Sequence, residues 1–153
     1  MKIGIGSDHF GYPLKEVVYK HISGRENLEI IDFGVSSEKE VVLYPDIALK
    51  VALAVKNKEI DYGILICGTG IGMSITANKI PGVYAALVEN IYGAERAKKS
   101  NNSNIITMGS QVVGPEVAKK LVDIWLSSDF QGGRSTPKVN RIYEIEGTYM
   151  KEG

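Results

Sequence analysis

Ile64-Leu65-Ile66-Cys67-Gly68-Thr69-Gly70-Ile71-Gly72 is an apolar run broken by three alternating glycines, and Met73 to Lys79 after it is patterned as a helix. A buried strand, a glycine turn and a helix start form the layout in which backbone N–H groups converge on an anionic oxygen. The same stretch sets the chain's one cysteine beside the turn. A thiol at a helix start is a candidate base or nucleophile, so Cys67 is read as chemistry, against the alternative of an inert buried cysteine. Thr69 is near enough in sequence to orient the thiol, and the loop amides suit an oxyanion or enediolate. Proton abstraction next to a carbonyl fits these parts.

Outward from that loop, Lys2 to Ser7 reads as a strand ending in Ser7-Asp8-His9-Phe10-Gly11. Pro13 then suits the first turn of a helix carrying Leu14, Val17, Val18, His21 and Ile22 inward. Leu28 to Phe33 reads as a second strand, followed by a long turn-rich connection and a helix from Tyr44-Pro45-Asp46 with Ile47, Val51, Ala52 and Val55 inward. Tyr62 to Ile66, Val83 to Val88 and Asn104 to Met108 supply three more strands, with helices near Ile91 to Lys99 and Glu116 to Leu126. Strand and helix alternate, which implies an α/β parallel sheet covered on both faces, with ligand groups at the carboxyl ends of its strands. Asp8, Cys67 and residues 89–92 are then expected on one rim. A last amphipathic segment, Val139, Ile142, Tyr143, Glu146, Tyr149 and Met150, follows Gly132-Gly133-Arg134-Ser135-Thr136-Pro137. It needs a surface to cover it, on its own domain or on another subunit, and the reading leans to a subunit.

The 153 residues, 44% of them hydrophobic and without a low-complexity tract, fit a single domain over 1–153. Eighteen basic and eighteen acidic residues cancel, so no global field draws nucleic acid or anionic membrane. Any anionic ligand must be held by local groups. No run approaches the ~18 apolar residues of a membrane span, and the chain opens on a strand in place of a secretory signal, so a cytoplasmic location is expected. One cysteine and two histidines, His9 and His21, offer no zinc or haem spacing, and no metal is expected.

Several motifs are near misses. A dinucleotide fingerprint would need glycine at Met73, a P-loop would need lysine there, and a cysteine-phosphatase loop would need arginine there. Asp8-His9 could handle hydroxyl protons or bind a sugar, or it could be a capping aspartate beside an exposed histidine. His21, on the apolar stripe, is expected to be packed and hydrogen-bonded, not catalytic. Ser100-Asn101-Asn102-Ser103-Asn104 reads by default as a polar turn. Arg134 and Lys138 are four apart, so if the helix begins at or before Arg134 they share a face and could grip one phosphate, or they are two solvated charges. Lys98-Lys99 and Lys119-Lys120 read as solvated faces.

Gly6-Ser7-Asp8-His9, Tyr44-Pro45-Asp46, Ile66 to Gly72, Ala77-Asn78-Lys79, Gly109-Ser110-Gln111-Val112-Val113-Gly114 and Gly132-Gly133-Arg134 together resemble the ribose-5-phosphate isomerase B and galactose-6-phosphate isomerase family. The likeness spans nearly the whole chain. It implies a metal-free, cofactor-free aldose–ketose isomerase of the enediol type, interconverting ribose 5-phosphate and ribulose 5-phosphate. The implied fold is a three-layer Rossmann-like sheet of order 2-1-3-4-5, with a C-terminal helix at a subunit interface. The implied assembly is a homodimer or tetramer whose subunits share sites. By the resemblance, Cys67 moves the proton between C2 and C1 with help from Thr69, and the amides of Gly68, Gly70, Ile71 and Gly72 hold the enediolate. Asp8 and His9 meet the sugar's hydroxyls or ring oxygen, Tyr44 lines the pocket, and Asn101 reaches the reacting oxygens from the neighbouring subunit. Arg134 and Lys138 bind the phosphate.

Three positions depart from the family pattern. Ser100 stands where a histidine usually opens the furanose ring, and a serine hydroxyl is a poor acid or base near neutral pH. Either His9 or water takes over, or the substrate arrives already open; the smaller serine also leaves room for a six-carbon sugar. Gln111 stands where some members carry a phosphate-contacting arginine, and Lys138 keeps charge but loses the arginine fork. The alternatives are therefore a hexose-phosphate or rare-sugar isomerase, and a non-catalytic sugar-binding subunit of a hetero-oligomer. A receiver-type signalling module would need an aspartate where Cys67 stands.

Overall fold

In the computed structural model, which describes residues 1–150, the first half of the chain runs β1 (Lys2–Ser7), α1 (Tyr12–Ile22), β2 (Glu29–Asp32), α2 (Tyr44–Lys56) and β3 (Tyr62–Cys67). The second half runs α3 (Ile71–Ala77), β4 (Ala85–Leu87), α4 (Ile91–Lys99), β5 (Ile105–Gly109) and α5 (Pro115–Leu126), then a 3-10 turn (Gly133–Ser135) and α6 (Thr136–Tyr149). Pro13, Pro45, Pro115 and Pro137 each sit in the first turn of a helix, where the missing N–H costs nothing and the fixed φ is already helical.

All strand pairs are parallel, and the sheet order is β2-β1-β3-β5-β4. The expected order 2-1-3-4-5 is corrected in its last two places. β5 is buried along its whole length, so it belongs inside the sheet, beside β3. β4 is three residues long, and Leu87 is exposed, as suits an edge strand. With right-handed crossovers, stepping out past one position and then back puts the two connecting helices on opposite faces. Accordingly α4 joins α1 and α5 over Ile3, Ile64, Ile106 and Trp125, while α2 and α3 cover Leu65 and Ile105.

Two lysines, Lys15 and Lys98, are buried. Lys15 is 1% exposed, and its Nζ donates to Asp32 Oδ2 and to the Val35 carbonyl, both at 2.7 Å, clamping α1 to the end of β2. Lys98 lies over the Tyr62 ring at 3.8 Å and the Trp125 ring at 4.3 Å, so its reading as a solvated residue is corrected. Lys99 and Lys119 do face solvent, paired with Glu95 and Glu116. The last helix docks on its own chain: Val139 is buried, Glu146 accepts from Tyr84 Oη and the Gly82 amide at 2.6 Å each, and Tyr143 accepts from Asn102 Nδ2 at 3.1 Å. Ile142, Ile145 and Tyr149 remain exposed on it. No helix among the described residues is long and apolar enough to cross a membrane.

Candidate active site

β1 and β3 are neighbours whose following helices leave to opposite faces, which opens a crevice at their carboxyl ends. A cavity of about 530 Å³ fills it, lined by Asp8, His9, Phe10, Val42, Leu43, Tyr44, Cys67, Gly68, Thr69, Ile71, Gly72 and Ile75. Cys67 is the last residue of β3 and is 5% exposed. The Gly70 amide donates to its Sγ at 3.1 Å. Thr69 was expected to orient the thiol, but its Oγ1 accepts from the Ile71 amide at 3.2 Å, and the Gly70 amide holds the sulfur. Two loop amides are thus engaged inside the loop.

The loop's shape is enforced from β5. Gly70 has a left-handed backbone, φ +80°, and a Cβ on it would come within 2.9 Å of the Met108 backbone. Buried Thr107 donates to the Gly70 carbonyl at 2.8 Å. At Gly72 a Cβ would collide with the ring of Tyr44, so Tyr44 can lie flat against the loop only because position 72 has no side chain. Asp8 is 3% exposed, and its Oδ1 accepts from the Gly11 amide at 2.9 Å. His9 packs against Phe10, and its Nδ1 is buried without a partner among the described residues. Gln111 belongs to this rim, its backbone N–H donating to the Gly68 carbonyl at 2.9 Å.

The remaining predicted residues are elsewhere. Ser100, Asn101, Arg134 and Lys138 line a second cavity of about 610 Å³ with Tyr92, Arg96, Gln131, Gly132, Gly133 and Ser135. Among the described residues, none lines both cavities. Ser100 caps the end of α4 and Asn101 precedes β5, whose first residue pairs with Gly63, whereas Cys67 pairs with Gly109. The register steps between those pairs are about 13 Å of strand, so Ser100 and Asn101 lie towards the amino end of β5 and Cys67 at the carboxyl end of β3, while Tyr92 at the start of α4 carries the second cavity along that helix. Within the polar turn, Asn102 bonds Tyr143, Ser103 accepts from Trp125 Nε1, and Asn104 bridges Tyr84 and Gly82. That leaves Ser100 and Asn101 for the cavity.

Arg96 escaped the sequence reading. The available signal was its place four residues before Ser100, on the same face of α4. His21 lines neither cavity; its Nε2 is 2.9 Å from Asp123 and 3.0 Å from Arg25, packed and hydrogen-bonded as expected. Burial pushes the Asp123 carboxyl up, but hydrogen bonds from Arg25 and His21 outweigh it and hold the group below the usual aspartate range.

Residues 3–142 match a family described as ribose/galactose isomerase. The chain is 57% identical over 146 residues to the ribose-5-P isomerase B of Listeria innocua, covering 95% of this chain and 97% of that one. It is 42% identical over 142 residues to the D-erythrulose-4-phosphate isomerase of Pectobacterium atrosepticum, covering 93% of each. The solved structure of Clostridium thermocellum ribose-5-phosphate isomerase B superimposes with a TM-score of 0.93 at 51% identity, covering 97% of this chain and 99% of that one.

Proposed function

Because the chain belongs to the ribose/galactose isomerase family and is an aldose–ketose isomerase of sugar phosphates, we propose that it interconverts ribose 5-phosphate and ribulose 5-phosphate through an enediolate with Cys67 as the base. The observation that carries this is the placement of the Cys67 sulfur at the floor of the Tyr44-lined crevice beside the glycine-loop amides. Cys67 takes the proton from C2 of the open aldose; the C2–H electrons form the C1–C2 double bond and the carbonyl electrons move to O1. Loop amides other than those of Gly70 and Ile71, which are engaged within the loop, stabilise that oxygen. The thiol then returns its proton to C1 while the O2 proton is passed to O1, leaving a ketone at C2. Asp8 and His9 orient the hydroxyls.

Asn101, Arg134 and Lys138 reach the substrate from a second copy of the chain, because within one chain they line a cavity that shares no described residue with the Cys67 crevice. Exposed Val41, Leu43, Ile71 and Ile75 around the Cys67 crevice suit burial by that second copy. The location proposed is the cytoplasm.

Ser100 favours a second reading. Ribose 5-phosphate closes its ring with the C4 hydroxyl, but a four-carbon sugar phosphate carries its phosphate on that oxygen and stays open. An isomerase of tetrose phosphates needs no ring-opening histidine, and one relative is named a D-erythrulose-4-phosphate isomerase. One experiment separates the readings: kcat/KM for ribose 5-phosphate, D-erythrulose 4-phosphate and allose 6-phosphate, with Ser100→His and Cys67→Ala alongside. A ribose 5-phosphate rate that leads the panel and rises in Ser100→His supports the first reading; a leading tetrose rate indifferent to Ser100→His supports the second. Cys67→Ala is expected to lower kcat by ~10²–10⁴ on the best substrate, and near-full activity would remove Cys67 from the base role.

A further inference from the structure

Arg96 is the one arginine of the second cavity besides Arg134, and its guanidinium is poorly served by its own chain. Nε is buried with no hydrogen-bond partner among the described residues. Nη1 and Nη2 both lie 3.5 Å from Gln131 Oε1, and Nη2 is 3.5 Å from Glu95 Oε1. These are contacts at the outer limit of hydrogen bonding, and Glu95 is also 3.3 Å from Lys99 Nζ. A guanidinium left with long contacts at the wall of a cavity is one whose strong acceptor comes from outside.

The acceptor's chemistry follows from the other lining groups. Arg134 and Lys138 supply two more cations, and no carboxylate lines the cavity among the described residues. Three cations with a serine and an asparagine suit a dianionic phosphate. Lys138 is a point charge, and Gln111, on the rim of the Cys67 crevice, carries none; Arg96 brings a planar fork that pairs two phosphate oxygens at once. Ser100 sits one helical turn further along the same face of α4, so a rigid element spaces the fork from the reacting end of the substrate.

We propose that Arg96 is a third phosphate-binding cation of the isomerase site, supplying the bidentate grip that Lys138 and Gln111 do not. This rests on the reading above that the cavity receives the substrate's phosphate. Arg96 binds substrate and does not touch the migrating proton.

Inorganic phosphate, used as a competitive inhibitor of the full-length enzyme, reads this directly. Arg96→Leu is expected to weaken phosphate inhibition by about ten- to a hundredfold, with the loss in turnover falling on KM more than on kcat. Arg96→Lys, which preserves charge and stem, is the companion should the leucine variant misfold; it is expected to weaken phosphate by at least roughly threefold, as the fork is lost. Arg134→Ala is the control. If Arg134→Ala weakens phosphate and both Arg96 variants bind it as the parent does, Arg96 is not a phosphate ligand while the site reading stands. If neither Arg134 nor Arg96 changes phosphate binding, the cavity is not the phosphate site, and both readings fall together.

Discussion

Gly72 and Tyr44 form a matched pair: the phenol ring occupies the space where any side chain at 72 would begin. Adding one methyl there forces Tyr44 outward, and since Tyr44 is 38% exposed it can swing into solvent at small cost to the fold. Gly72→Ala is therefore expected to lower kcat/KM roughly tenfold, with the melting temperature little changed. Unaltered kinetics would mean that the Tyr44 ring is not a wall of the substrate site. The glycine loop was legible in the sequence because its chemistry is local, with cysteine, glycines and threonine in one turn. The bond that orients the sulfur was not, because Thr69 and Gly70 compete for the role through backbone geometry that Thr107 sets from another strand. Arg96 was invisible for a related reason: an arginine among Glu95, Lys98 and Lys99 reads as one more solvated charge until the helix is placed.

The α4 helix turns two opposite faces to use. Arg96 and Ser100 look into the second cavity, while Lys98 lies over the rings of Tyr62 and Trp125. Burial lowers the Lys98 pKa from 10.5 to about 8, with Asp129 opposing it. Between pH ~8 and ~10 the unfolded chain then holds a proton that the folded chain has released, so this group makes stability rise with pH by at most about 1.4 kcal/mol per unit. Below pH ~8 both states are protonated and its slope vanishes. Above pH ~10 the phenols of Tyr62 and Tyr84, both raised by burial, pull the other way. Urea midpoints at pH 7.5, 8.5 and 9.5 should climb less steeply for Lys98→Met than for the parent; identical slopes would exclude Lys98 as the source. Element boundaries were mostly readable from periodicity, as in β1 and α4. The order of β4 and β5 was not, because it depends on which strand is buried on both faces, and Ile105-Ile106-Thr107-Met108 against Ala85-Ala86-Leu87 carries that information only once the sheet is assembled.

For the whole molecule, the decisive fact is that Cys67 and Arg134 line separate cavities of one chain. The composite site makes a sharp prediction: Cys67→Ala and Arg134→Ala, each nearly inactive alone, should recover roughly a quarter of parental activity when their subunits are mixed and exchanged at equal amounts. Half of randomly paired dimers are then mixed, each with one intact site of two. No recovery despite demonstrated subunit exchange would show that each chain completes its own site. Ile142, Ile145 and Tyr149 of α6 stay partly exposed beside the contacts that dock this helix on its own chain. The proposed division of the site between two subunits also bears on dosage. If the site is shared as proposed, a lone chain has a base without a phosphate grip and a phosphate grip without a base. Serial dilution would silence such an enzyme before it unfolds, with activity falling as the square of protein concentration once the subunits part.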